Sequence, residues 1–447
     1  MSEPKIAFSV PKLHLTLGSV LIVLGALLIG GAQYFAAMGD GAVRFGALEH
    51  LLDTHEIPRM KYALTGPVFA APLMVLDSLF GTGDSIAARY NFWLLLGGLA
   101  LWGVLLRRHL TPFAWRAFLM LLLFASLMPN AVRHFYGEIF TVVLVGGGLA
   151  WATLGPRRRG LGWVLVVIGV ANTPAAVPAL GLLALQQAYM RRRARYLLLP
   201  IAAFALVCLD SWLRSGTFLG GGYGNDHGAK TPMPYSGLPG FSYPLIFGLL
   251  SIFFSFGKGL IWFFPGLLLP AWRQFSCELR SFYLMCVVFL VGLVLVYAKW
   301  WAWYGGWCFG PRFFTFAALP AALALAVSLA QAHKSWWRAS LTLAVLALSV
   351  WVGICAAAFQ QKGLGFATEQ NWALEHLVWH VPEYSVLWHP FVAENIRLEF
   401  TEKALIVYGI LIFLWCAWPT FRIWLTLTRG HLCDLRNRLL PLRQWRW

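Results

Sequence analysis

The sequence predicts an all-α, polytopic transmembrane protein with about 12 membrane segments. Both termini are expected in the cytoplasm, and the long loops and juxtamembrane helices on the outer face. Three observations carry this reading. Hydrophobic residues make up 59% of the 447 and charged ones only 12%, with a mean hydropathy of +0.67. A soluble domain carries about 25% charge, so there is too little polar surface here to solvate a globule of this size. Apolar runs long enough for a bilayer core, about 20 residues, recur between short basic clusters. Threaded through a membrane, the chain puts 22 Lys and Arg against three acids on one side and 13 against 15 on the other. The positive-inside rule describes that asymmetry.

The elements follow in order. Lys5 and Lys12 precede an uncharged run from Leu13 to Gly39, which is long for the apolar part of a signal peptide. It reads as an uncleaved first span near 13–37. An outer loop, 38–86, follows. Spans near 87–106, 113–130 and 138–154 come next, the first stopping at Arg107-Arg108 and the third at Arg157-Arg158-Arg159. The stretch 161–190 is basic at both ends and too short for two full spans. With Asn172-Thr173-Pro174 as a turn at its midpoint, it reads as a pair of short helices that does not cross fully. A span near 197–215 leads to a Gly-rich loop. A short apolar segment, 244–256, breaks at Gly257-Lys258-Gly259, and a span is expected near 260–271. Later spans lie near 280–298, 312–331, 339–359 and 404–421, before a basic tail from Arg422. Residues 1–359 thus form one transmembrane unit, 360–402 an outer-face loop, and 403–447 the last helix and cytoplasmic tail.

This pattern excludes an ordinary soluble enzyme, a disordered chain and a disulfide-stapled module. The net charge of +17 is accounted for by the basic inner loops, so no nucleic-acid partner is expected. The seven Cys lack any CxxC or Cys/His ligand spacing, which argues against zinc or a disulfide framework. The aromatic residues, 23 Trp among them, suit contact with membrane lipids and their interface. Nearly all acids fall outside, and almost no charge sits mid-span. Asp210 is an exception, with Arg214 four residues on as its expected ion-pair partner.

Four outer segments stand out chemically. The first is Gly39-Asp40-Gly41, followed by Arg44, Glu49 and Asp53. A carboxylate flanked by glycines at a membrane surface can serve as general base for an acceptor hydroxyl, or simply end a helix. The second is the tight turn His134-Phe135-Tyr136-Gly137-Glu138. Its Glu opens a helix, where the macrodipole favours an acid. The third, Ser255 to Trp262, sets Lys258 between two glycines. This is an anion site of the kind helix N-termini provide, or a snorkelling lysine. The fourth runs from Lys299 to Arg312 through Trp303, Tyr304 and Trp307. The Arg312 fork suits a phosphate and the Trp faces a sugar ring, while interface anchoring is the plainer alternative.

Together, an acid after the first span, a Gly-Glu turn after the third, the SxGKGLxWxxP segment at 255–265 and the GGWxxGPR segment at 305–312 resemble the GT-C glycosyltransferases. These are multi-pass enzymes that use polyprenyl-phosphate sugars. The resemblance runs from about Gly31 to Pro320. It implies a glycosyltransferase of the cell envelope, in a bacterial cytoplasmic membrane with its active site facing outward. It would move a sugar from a polyprenyl-phosphate donor to a hydroxyl of a glycan, lipid or exported protein, with inversion at the sugar carbon. Asp40 matches the first-loop acid of the family and Glu138 the second, both in catalytic positions. Lys258 and Arg312 match positions suited to the donor phosphate. Arg44, Glu49, His134, Tyr136, Trp303, Tyr304 and Trp307 are candidate substrate contacts. Many relatives carry two adjacent acids where this chain has Asp40-Gly41, which leaves the base and any divalent metal open. The rival readings are a transporter or flippase of lipid-linked sugars, and a scaffold without chemistry. The absence of matching halves with interrupted helices weighs against the transporter.

Overall fold

The computed structural model describes residues 11–32, 34, 35, 37–156, 158–219, 226–331 and 335–443; the side chains of Ala32 and of residues beyond Arg429 are outside this description. Lys5, Arg157, residues 220–225 of the Gly-rich loop and the side chains of most of the basic tail therefore lie outside the described residues. The described residues are all-helical. Among the described residues, seven helices are long and apolar enough to cross a membrane, and five shorter apolar helices accompany them.

The chain shuttles between two ends of the bundle. Helix α1 (Lys12–Ala32) leads to the site end, where α2 (Asp40–Thr54) and α3 (Ala71–Phe80) fill the first long connection. Helix α4 (Tyr90–Leu106) returns to the far end at Arg107-Arg108. There the Thr111 side chain accepts a hydrogen bond from the Ala114 N–H and Pro112 opens α5 (Pro112–Leu123), a helix start with both cap and proline in their favoured places. After the short α6 (Met128–Ala131), α7 (Glu138–Leu154) runs away from the site end. Helices α8 (Arg159–Ala171) and α9 (Ala176–Arg191) form a hairpin whose tip returns to it, and α10 (Leu198–Ser215) comes back again.

Helices α11 (Leu245–Phe254) and α12 (Leu260–Phe263) stay near the site end. Helix α13 (Cys277–Tyr297) then climbs from the far end. Helix α14 (Ala318–Leu329) descends from a 3-10 turn, Arg312–Ala317, and α15 (Trp336–Ile354) ascends into a π turn, Cys355–Phe359. After α16 (Glu375–His380), α17 (Phe400–Arg443) descends. The basic stops Arg107, Arg159, Arg191, Arg280 and Arg338 thus gather at the far end, and the acids named below at the site end.

Small residues set the tightest packing. A methyl group on Gly148 of α7 would meet the carbonyl oxygen of Gly162 on α8, and the reverse holds as well. Absent side chains let two backbones approach in this way where van der Waals contact holds helices together. Bulky rings fill the interior, among them Trp102, Phe118, Phe124, Phe282 and Phe289, all inaccessible to solvent. On α10 the large side chains Leu198, Ile201, Phe204 and Leu209 point outward, the expected face toward lipid.

Two expectations meet the structure differently. The stretch 260–271 is not a span: α12 has four residues and two 3-10 turns follow it, Pro265–Leu268 and Ala271–Gln274. Pro265 and Pro270 remove backbone donors and break any helix through them. Gly266 lies so close to Ala321 of α14 that only a missing side chain fits. The pair at 161–190, by contrast, is a helical hairpin, and its tip reaches the site.

Candidate active site

The site is assembled by polar pins that join segments far apart in sequence. Arg214 and Asp210 at the end of α10 pair at 2.8 Å. The Leu64 N–H donates to Asp210 at 3.0 Å, and Arg214 donates to the Met60 carbonyl at 2.5 Å. This ion pair therefore fixes residues 60–64 of the first loop. Asn172, buried at the tip of the α8–α9 hairpin, accepts from the Gly66 N–H at 3.1 Å and donates to the Gly137 carbonyl at 2.8 Å. Asn91 of α4 donates to the carbonyls of His134 and Tyr136 at 2.6 and 2.8 Å. Both the first loop and the Gly-Glu turn are thereby held rigid.

Arg312 stands at the centre of what they hold. Its guanidinium donates to Asp40 at 2.5 Å and lies 3.7 Å from Glu138, with its Cζ 4.7 Å from the centre of the Tyr136 ring. Gly310, at φ +63°, and Pro311 turn the chain so that Arg312 enters from above α14. Asp40 occupies the first position of α2 after Gly39, which takes φ +52°, a conformation that glycine adopts at no steric cost. Its other carboxylate oxygen accepts from the Tyr62 hydroxyl at 2.6 Å. Burial pushes the Asp40 carboxyl up, but the Arg312 charge, the Tyr62 hydrogen bond and the nearby Arg44 outweigh it and hold it below the usual carboxylate range. Glu138 opens α7, where the positive end of the macrodipole favours its charge. A cavity of about 10 Å³, lined by Tyr136, Glu138, Cys308, Arg312 and Thr315 among others, has room for one water.

Other predicted residues take varied places. Arg44, one turn after Asp40, packs its guanidinium 5.1 Å from the Tyr62 ring centre, with Nε and one Nη buried and without a hydrogen-bond partner. His134 stacks on Tyr136 with ring centres 5.0 Å apart. Burial, with Arg133 and Arg312 nearby, pushes its pKa down to about 4, so it is neutral near pH 7. Glu49 lies nine residues along α2 from Asp40, roughly 13 Å at the helical rise. Burial and then Asp84 and Asp53 raise its pKa; it does not join the Arg312 cluster.

Trp303 and Tyr304 depart from the expectation of faces open to a sugar. Trp303 is 1% exposed, and Tyr304 stacks on Trp379 at 3.7 Å between ring centres. The segment 360–402 covers them. Trp307 remains partly exposed, edge-on to Trp372. Lys258 departs too. It is 3% exposed, and its ammonium donates to the carbonyls of Gly306, Cys308 and Gly310 at 2.8–3.2 Å. An ammonium has three donors, and all are committed, so Lys258 shares no open cleft with Arg312.

Lys61, Tyr62 and Glu375 were not singled out from the sequence, and Asn172 only as part of a turn. Lys61 pairs with Asp226 at 3.2 Å beside Tyr62 and is a third exposed. Nothing in its spacing marks it, because the partner lies 165 residues away. Glu375 is buried against Tyr304. Desolvation lifts its pKa to about 7, against the opposing pull of Lys258 and the Tyr304 hydroxyl. Among the described residues no three or more His, Cys, Asp or Glu side chains gather as metal ligands would.

Over 92% of its length the chain is similar to two solved structures of ArnT from Cupriavidus metallidurans, in each case over 77% of that chain. One is in the apo state (TM-score 0.49, 13% identity) and one is bound to undecaprenyl phosphate (TM-score 0.48, 15% identity). No family model matches. None of the curated proteins matches.

Proposed function

We propose that this chain is a membrane glycosyltransferase that moves a sugar from a polyprenyl-phosphate donor to an acceptor hydroxyl at the outer face of a cytoplasmic membrane. One observation carries the reading: Arg312 sits between two carboxylates, 2.5 Å from Asp40 and 3.7 Å from Glu138, at the end of the bundle opposite the basic stops. A planar guanidinium is suited to phosphate, and here it is reserved by a carboxylate that a phosphate can displace.

The chemistry follows. The donor phosphate takes Arg312 from Asp40. Losing that cation, Asp40 regains basicity at the moment the donor is in place. An acceptor hydroxyl attacks the sugar carbon, its proton passes to Asp40, and the bond from the sugar to the phosphate oxygen breaks. The electron pair leaves on the polyprenyl phosphate, whose growing charge Arg312 stabilises in a partly dehydrated site. Glu138 keeps Arg312 in place through the exchange, and Tyr62 orients Asp40. One displacement without a covalent intermediate gives inversion. Lys61, partly exposed beside the Tyr62 ring, is a second candidate cation for the donor. With the basic stops in the cytoplasm, about twelve crossings place both termini inside.

The test incubates purified protein in detergent with radiolabelled polyprenyl-phosphate sugars and separates lipid-linked from transferred label. Label that leaves the lipid for an acceptor supports the proposal. If no donor in a panel of hexose, pentose and aminosugar phosphates loses its sugar, while reconstituted vesicles move the intact lipid across the bilayer, the chain is a flippase.

A further inference from the structure

The Lys258 ammonium occupies a cage that backbone carbonyls build. Gly305, Gly306 and Gly310 take φ of +81°, +75° and +63°. These left-handed turns, open to glycine, direct the carbonyls of Gly306, Cys308 and Gly310 onto one point. The ammonium fills that point at 3.2, 2.8 and 3.1 Å, with the Cys308 sulfur at 3.3 Å. Three carbonyl oxygens and a sulfur around one buried cation replace its hydration shell, as carbonyl rings do for a monovalent ion.

Lysine is delivered there by a fixed strut. Gly257 donates its N–H to the Trp379 carbonyl at 3.0 Å, and Gly259 donates to the Ser255 carbonyl at 2.7 Å. The Glu375 carboxyl feels the Lys258 charge and bonds the Tyr304 hydroxyl. The caged loop ends at Arg312, and the Arg312 side chain packs on Gly305. The position of Arg312 against Asp40 is thus set by the cage.

We propose that Lys258 is a positioning residue, a tethered cation that fills a monovalent-cation cage in the 305–310 loop and thereby sets where Arg312 stands. Without its ammonium the carbonyls would repel one another, and the cage would take up a free ion of similar size. The effect on transfer rests on the glycosyltransferase reading, but the cage itself does not.

The test uses the full chain in detergent. Lys258→Ala should lower the unfolding temperature. Ammonium, methylammonium or potassium should restore it with saturation, whereas tetramethylammonium, too large for the cage, should not, and wild type should not respond. Transfer by this variant should fall roughly 100-fold in kcat, as a small misplacement of a reacting group costs, and recover with the same ions. Recovery of stability without any transfer in wild type would keep the cage and sink the enzyme reading. No response of stability to any of the ions would overturn the cage.

Where Lys258→Ala cannot be purified, Lys258→Met serves, since it keeps much of the volume without the charge. Cys308, 7% exposed in the cage, should then react with a maleimide at least tenfold faster than in wild type, while the buried Cys286 and Cys416 keep their rates. An unchanged Cys308 rate would equally overturn the proposal.

Discussion

Asp40 is held ionised by Arg312 and Tyr62, and the cost of that arrangement is a weakened base until a phosphate takes Arg312 away. Two outcomes follow from this. Asp40→Asn keeps the shape and removes the proton acceptor, so transfer should fall about 10²–10⁴-fold with the unfolding temperature little changed. An activity near wild type would move the base elsewhere. Tyr62→Phe removes a hydrogen bond that lowers the Asp40 pKa, so that pKa rises. The acid limb of the pH–rate profile then moves to higher pH, and an unmoved limb would show that Asp40 is not the titrating base. At this scale the sequence was legible where chemistry follows local spacing. Asp40, Glu138 and Arg312 each sit beside a glycine or proline break, and the structure brings them together. Tyr62 and Lys61 were not legible, because Asp210 and Arg214 place their loop from about 150 residues away. The fate of Lys258 was hidden for a different reason: carbonyl direction is set by backbone angles at three glycines, which spacing does not reveal.

The α8–α9 hairpin does more than pack. Its tip residue Asn172 bonds Gly66 on one side and Gly137 on the other, and a side chain on either glycine would collide with it. Asn172→Ala should leave the buried Gly66 N–H unmatched, at about 1–3 kcal/mol, while the Gly137 carbonyl keeps the Thr141 N–H. Denaturant unfolding in detergent measures this, and a loss under 0.5 kcal/mol, a surface-like value, would refute the pin. The segment 360–402 acts through Glu375, which is set against Lys258 and Tyr304 with a pKa of about 7 against an ordinary 4.5. Its folded pKa is raised, so the folded chain binds the extra proton, and stability falls as pH rises from about 4.5 to about 7. Unfolding temperatures across that window should fall more steeply for wild type than for Glu375→Gln; equal slopes would remove Glu375 from the account. Asn172-Thr173-Pro174 was readable as a turn, but its partners were not, since neither is near it in sequence. The broken stretch 260–271 was misread because apolar composition outweighed two prolines that the helix cannot absorb.

Across the whole molecule, charge separates by end: basic helix stops at one, Asp40, Glu138 and Glu375 at the other. That separation was the most legible property of the chain, because it depends on order along the sequence and not on contacts. It predicts sidedness. Gly365 is exposed and has open space around an added Cβ, as does Gly160 at the far end. A cysteine at Gly365 should react with a membrane-impermeant maleimide in intact cells, and one at Gly160 only after permeabilisation; the reverse would invert the topology. The central claim is that a donor phosphate takes Arg312 from Asp40, and polyprenyl-phosphate affinity tests it most directly, measured side by side for wild type, Asp40→Asn and Arg312→Ala. Removing the competing carboxylate should tighten binding in Asp40→Asn, even as transfer is lost. Removing the guanidinium should weaken it by roughly 10- to 100-fold, the loss of a charge-assisted hydrogen bond of about 1.5–3 kcal/mol. Opposite signs in the two variants are the predicted result; weaker binding in Asp40→Asn, or unchanged binding in Arg312→Ala, would contradict it.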